Sequence, residues 1–110
     1  MTEPILLRHD EAGIATLTLN APGALNALSD AMLAALTEAF TALAADRSIR
    51  VVILRGTGRA FCAGHDLKEM QAARQSPDKG AAYFQSLFDR CATMMQMIPA
   101  LPQPVIAQVH

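Results

Sequence analysis

RVVILRGTGRAFCAGHDLKEM, from Arg50 to Met70, decides how the rest of the chain reads. Val51-Val52-Ile53-Leu54 is an unbroken apolar run, mostly β-branched, the pattern of a strand buried on both faces. Gly56 and Gly58 end that strand. Phe61-Cys62-Ala63-Gly64 follows, small and apolar apart from the ring. Asp66-Leu67-Lys68-Glu69 then offers an acidic N-cap with Glu three residues on, a capping-box pattern. The order is strand, tight glycine loop, helix start. A loop of small residues lets a ligand lie close to the backbone. Free N–H groups ahead of a helix start sit at the positive end of its dipole. An oxygen that gains negative charge would be stabilised there. On spacing alone, an ordinary strand-to-helix connection fits equally well.

Upstream, Ile5 to Arg8 is a short strand, Glu11-Ala12-Gly13 its turn, and Ile14 to Leu19 a second strand of roughly alternating character. The pair reads as an antiparallel hairpin at the start of a sheet. Asn20-Ala21-Pro22-Gly23 is a turn by composition. Ser29 is the expected N-cap of an amphipathic helix whose stripe is Met32, Leu33, Leu36, Phe40 and Leu43. Asp46-Arg47-Ser48 closes that helix and leads to the strand at Val51. A strand–helix–strand order predicts an α/β fold.

Downstream, Gln71 to Lys79 turns polar, a loop or a frayed helix end. A helix is expected to start near Pro77-Asp78. Phe84, Leu87, Phe88, Cys91, Met95 and Ile98 carry its period, with Met94 and Met97 adding adaptable volume. That methionine group suits either plain core or the wall of an apolar pocket. Pro99, Pro102 and Pro104 are expected to end the helix, and Val105 to Val109 to form a last strand.

With 110 residues the chain suits one domain. Hydrophobic residues make up 52% and charged ones 17%, a core-rich composition for so small a unit. The formal net charge of −1 and the lack of a basic cluster give no support for a nucleic-acid partner. The charged start, MTEPILLRHD, does not read as a signal peptide, and no apolar run reaches membrane-spanning length. Cys62 and Cys91 read as isolated reduced thiols, so a cytoplasmic location is expected.

Two rival motifs fail on their own terms. Gly56-Thr57-Gly58-Arg59-Ala60-Phe61 approaches the dinucleotide fingerprint, but Phe61 replaces its third glycine and no helix opens at the second. Cys62, His65 and Asp66 lack the second ligand pair of a zinc site, so no metal is expected.

GRAFCAGHDLKEM closely resembles the signature of the crotonase family, the enoyl-CoA hydratase/isomerase group. NAPGALNALS, Asn20 to Ser29, resembles that family's upstream ligand-binding loop, and PVIAQVH, Pro104 to His110, the strand leading to its second active-site loop. The resemblance implies the N-terminal half of a crotonase-like spiral of ββα units, with residues 1–110 forming part of an acyl-CoA-binding core whose C-terminal half is absent. It implies an acyl-CoA enzyme that stabilises a thioester enolate in an oxyanion hole, a hydratase or isomerase of fatty acid metabolism.

By the same resemblance the backbone N–H of His65, just after Gly64, is one oxyanion donor. Ala24 and Leu25 would lie near the nucleotide and pantetheine, and the Ala63 carbonyl would accept from the pantetheine amide. Asp66 and Leu67 would lie beside adenine. Lys68 would lie near phosphate or, equally, in solvent. Gly23 stands where relatives often carry a basic residue, so no charge contact is expected from it. The imidazole of His65 is incidental to the backbone role, or else narrows the acyl pocket and reaches the substrate. Coenzyme A enters as part of the substrate, and no separate cofactor is implied. The expected partners are an acyl-CoA thioester and further copies of the chain, as a trimer or hexamer. The second oxyanion loop and the acid/base residues of the pattern would lie beyond His110. Little turnover is therefore expected of these residues alone, and a non-catalytic acyl-CoA-binding module is the alternative.

Overall fold

The computed structural model describes residues 3–110; Met1 and Thr2, which head the charged N-terminal stretch, lie outside the described residues. The first hairpin is β1 (Leu6–Glu11) and β2 (Ile14–Leu19), paired antiparallel with Leu6 opposite Leu19. The first strand is longer than expected and takes in Glu11. Ala12 and Gly13, both at positive φ, suffice for the turn. Helix α1 (Asp30–Ala44) follows, then β3 (Val51–Gly56), α2 (Leu67–Ala73), α3 (Ala81–Ala100) and β4 (Val105–Ala107). The sheet order is β1-β2-β3-β4, with β3 parallel to both neighbours. The α/β class and the first hairpin thus match expectation.

The core lies between one sheet face and the two long helices. Ala15, Leu17, Leu19 and Val52 supply the sheet side. Met32, Leu33, Leu36, Phe40 and Leu43, the stripe predicted for α1, supply the other and are all buried. Leu87 and Met94 of α3, then Leu101, close the cluster. Ser29 caps α1 as expected, its hydroxyl accepting from Met32 N–H at 3.1 Å. Gln103, buried, serves the opposite end: its Nε2 donates to the carbonyl of Leu43 at 2.7 Å. That bond ties the segment after α3 to the last turn of α1, where the Leu43 carbonyl also accepts from the Asp46 N–H at 3.1 Å.

Several expectations need correction. β3 is not buried on both faces: Val52 is buried, but Ile53 is only partly buried, on a face shared with Ile14 and Ile106, 38% and 54% exposed. A continuous apolar run looks the same whether the second face is covered or not. In β2 the buried set is Ala15, Leu17 and Leu19, and Ile14 points away. Helix α3 starts at Ala81, past Pro77-Asp78. The Asp78 carboxylate and the Ser76 hydroxyl take the Gly80 N–H, at 3.0 and 3.1 Å, and so hold a turn there. The buried residues of α3 are Leu87 and Met94, with Leu101 just past its end; Phe88 and Met95, placed on the core stripe by period, are 51% and 48% exposed. Pro99 lies inside α3, one residue before its end, where a missing N–H costs a single bond. β4 stops at Ala107, short of Val109.

Phe40 is fully buried at the centre of this cluster. Phe40→Ala should lower the unfolding free energy by about 3–5 kcal/mol, read as a drop in the urea midpoint at unchanged slope.

Candidate functional site

Two loops leave the same end of the sheet and are tied to each other. The first, after β2, makes a short 3₁₀ turn at Pro22–Ala24. It then passes through Leu25 and Asn26, both left-handed at φ 52° and 54°. The second leaves β3 at Gly56 and runs to Asp66. Their backbones exchange hydrogen bonds: Ala63 N–H donates to the Leu25 carbonyl at 3.0 Å, and Leu28 N–H to the Gly64 carbonyl at 2.7 Å.

Asn26 links them a second time through its side chain. Its Oδ1 accepts from Ala21 N–H at 2.7 Å, and its Nδ2 donates to the carbonyls of Thr57 and Ala60 at 2.8 and 2.9 Å. The residue has no solvent exposure. Sequence reasoning passed over it as one residue of a loop. The available signal was an amide between leucines and alanines, since such a group is buried only with its bonds made. The left-handed backbone is also one that Asn tolerates. Gly56 lies under this contact. A Cβ there would come 2.7 Å from the Phe61 carbonyl oxygen and 2.9 Å from Asn26 Nδ2.

The helix ends are tied together as well. Asp66 caps α2, its Oδ1 accepting from Lys68 and Glu69 N–H at 2.9 and 3.1 Å. Glu69 does not complete a capping box by reaching back to Asp66. Its Oε1 instead accepts from Asp30 N–H at 2.8 Å and so caps α1. Asp30 in turn accepts from Tyr83 Oη at 3.2 Å and Arg90 at 3.0 Å, both on α3. Burial, then the Asp30 carboxylate, push the Tyr83 phenol above its ordinary pKa.

Between the loops lies a cleft of about 310 Å³, lined by Gly23, Ala24, Leu25, Ala27, Ala63, His65, Asp66, Leu67 and Lys68. Of the positions singled out from sequence, Ala24, Leu25, Ala63, His65, Asp66, Leu67 and Lys68 share it, and Gly64 sits between two of its lining residues. Gly64 adopts φ +97°, a region open to glycine. Among the described residues the His65 N–H makes no hydrogen bond, nor does the Ala63 carbonyl accept one. The amides of Ala24 and Leu25, by contrast, are spent inside the 3₁₀ turn on Ala21 and Pro22 carbonyls. A larger hollow of about 490 Å³ between α1 and α3 holds none of these residues. The cysteines, Cys62 and Cys91, are both free. Among the described residues no helix is long and apolar enough to cross a membrane.

A protein-family model described as enoyl-CoA hydratase/isomerase matches residues 14–110. The chain belongs to that family. It is 58% identical to an enoyl-CoA hydratase of Mycobacterium smegmatis whose crystal structure superposes with a TM-score of 0.89, covering 98% of this chain and 40% of that one. It is 38% identical to the 1,2-epoxyphenylacetyl-CoA isomerase of Escherichia coli over 96% of this chain and 39% of the relative. A putative enoyl-CoA hydratase/isomerase of Bacillus subtilis is 40% identical, over all of this chain and 40% of its own length. The architecture is therefore a partial crotonase fold, and the chain spans about two fifths of the relatives it matches.

Asn26→Ala strips partners from two carbonyls and one N–H at once. A loss of roughly 2–4 kcal/mol is expected in urea unfolding. Asn26→Asp should be at least as damaging, because it sets a carboxylate against the Thr57 and Ala60 carbonyl oxygens.

Proposed function

We propose that the cleft between the two loops holds an acyl-CoA thioester, and that the His65 N–H donates to its carbonyl oxygen. The observation that carries this reading is an uncommitted amide N–H on a residue that lines the cleft. Deprotonation or addition next to a thioester carbonyl moves charge onto its oxygen. A fixed backbone donor stabilises that charge without a titrating group. Membership of the enoyl-CoA hydratase/isomerase family supports the substrate class.

The remaining roles belong to the same proposal. The Ala63 carbonyl, unclaimed inside the chain, is suited to accept from the pantetheine amide. Asp66 and Leu67 would flank adenine, the latter being 76% exposed. Lys68 would approach phosphate. Ala24 and Leu25 would offer van der Waals surface, since their N–H groups are already engaged. Full activity as a hydratase or isomerase would draw a second oxyanion donor and acid/base groups from outside these 110 residues. Cytoplasmic location, a role in fatty acid metabolism and assembly into trimers or hexamers complete the proposal. Exposed Phe88, Met95, Ile106 and Val109 favour association.

Calorimetric titration of the 110-residue chain tests the core of this reading. Butyryl-CoA should bind roughly two- to tenfold more tightly than S-butyl-CoA, which lacks the carbonyl. Equal affinities would remove the His65 donor, and absence of binding by both would remove the acyl-CoA site. In a parallel assay crotonyl-CoA should be bound without appreciable hydration; robust turnover would show that the chain carries its own acid/base groups.

A further inference from the structure

Resting on the acyl-CoA reading above, we propose that the imidazole of His65 is a specificity-determining residue. It would select acyl groups that carry a hydrogen-bonding oxygen close to the thioester.

Three observations point there. Nδ1 of His65 is buried and has no hydrogen-bond partner. Its ring lies against Phe88, centroids 5.9 Å apart at 68°, and Phe88 is itself stacked on Phe84 at 6.2 Å and 19°. His65 also lines the cleft. The edge contact with Phe88 gives the ring a seat, and one of its nitrogens is out of solvent. Nε2 has no protein partner either, but it is not among the buried unpaired atoms, so it retains solvent access. The ring thus presents a single usable hydrogen-bonding atom.

Its reach follows from covalent geometry. The imidazole hangs from the Cα adjacent to the N–H assigned to the thioester oxygen. With that oxygen held, the first carbons of the acyl group lie within reach of Nε2, and a distant chain end does not. An oxygen on one of those carbons would satisfy Nε2. An unsubstituted alkyl group would desolvate Nε2 and leave it unpaired, a penalty comparable to a lost hydrogen bond. Selection then works chiefly by rejecting the group that cannot pair.

The test is the ratio of dissociation constants of the 110-residue chain for butyryl-CoA and 3-hydroxybutyryl-CoA, which match in chain length. Wild type should favour the hydroxylated ligand about tenfold. His65→Phe keeps a ring against Phe88 and removes both nitrogens, and should bring the ratio toward one. His65→Gln restores a side-chain donor and acceptor, and should recover part of the preference, which a merely space-filling residue would not. A wild-type ratio near one, or a preference that survives in a folded His65→Phe chain, overturns the inference while leaving the acyl-CoA site standing. Failure of both ligands to bind wild type overturns the acyl-CoA reading and this one with it. Should His65→Phe not fold by circular dichroism, the wild-type ratio and the Gln variant still decide.

Discussion

The carboxamide of Asn26 holds two loops at one fixed separation, and the cleft exists because of that separation. One amide group answers an N–H of its own loop and two carbonyls of the other. No apolar side chain can do this. Van der Waals contact would fill the space, but three backbone polar groups would be left dry. Gly56 completes the constraint by omission, since a Cβ there would push Phe61 and Asn26 apart. The bonds from Ala63 to Leu25 and from Leu28 to Gly64 then set the register in which the second loop arrives at His65.

The helix ends extend the same constraint into the core. Ser29 and Glu69 both serve the N-terminus of α1, one from its own chain segment and one from α2. Asp30 carries the tie to α3 through Tyr83 and Arg90. The pair with Arg90 is partly exposed and worth little alone. It adds a polar tie between α1 and α3, while Glu69 ties α2, no residue of which is buried, to the same end of α1. A short helix with so little burial is held by its polar ends, and the residues ahead of it are held with it.

Much of this was legible in the sequence. The stripe of α1, its Ser29 cap, the Asp66 cap and the strand before Gly56 rest on local periodicity and capping chemistry, which depend on few neighbours. The lining of the cleft by Ala24, Leu25, Ala63, His65, Asp66, Leu67 and Lys68 followed from resemblance, since spacing alone fitted a plain connector equally well. What stayed hidden depended on pairs far apart in the chain. Glu69 looked like half of a local box, yet its partner is Asp30, and Gln103, which no local pattern singles out, closes α1. The stripe on α3 was misjudged for a related reason. Periodicity locates an apolar face but not what stands opposite it, so Phe88 and Met95 were placed in a core that does not cover them. The open face of β3 is the same error in a strand.

A donor supplied by the backbone has a further consequence. The position of the His65 N–H is set by Gly64, by the bridge to Leu28 and by the helix that begins at Leu67, none of which depends on the His65 side chain. The side chain is therefore free to vary in chemistry without moving the donor. On the proposed reading, this separates holding the thioester oxygen from choosing what is attached to it. Relatives named as a hydratase and as an epoxyphenylacetyl-CoA isomerase resemble this chain over nearly its whole length at 58% and 38% identity. On the same reading, a segment that only polarises a carbonyl could be shared by such different reactions. The groups that decide where protons and new bonds go would be supplied around it.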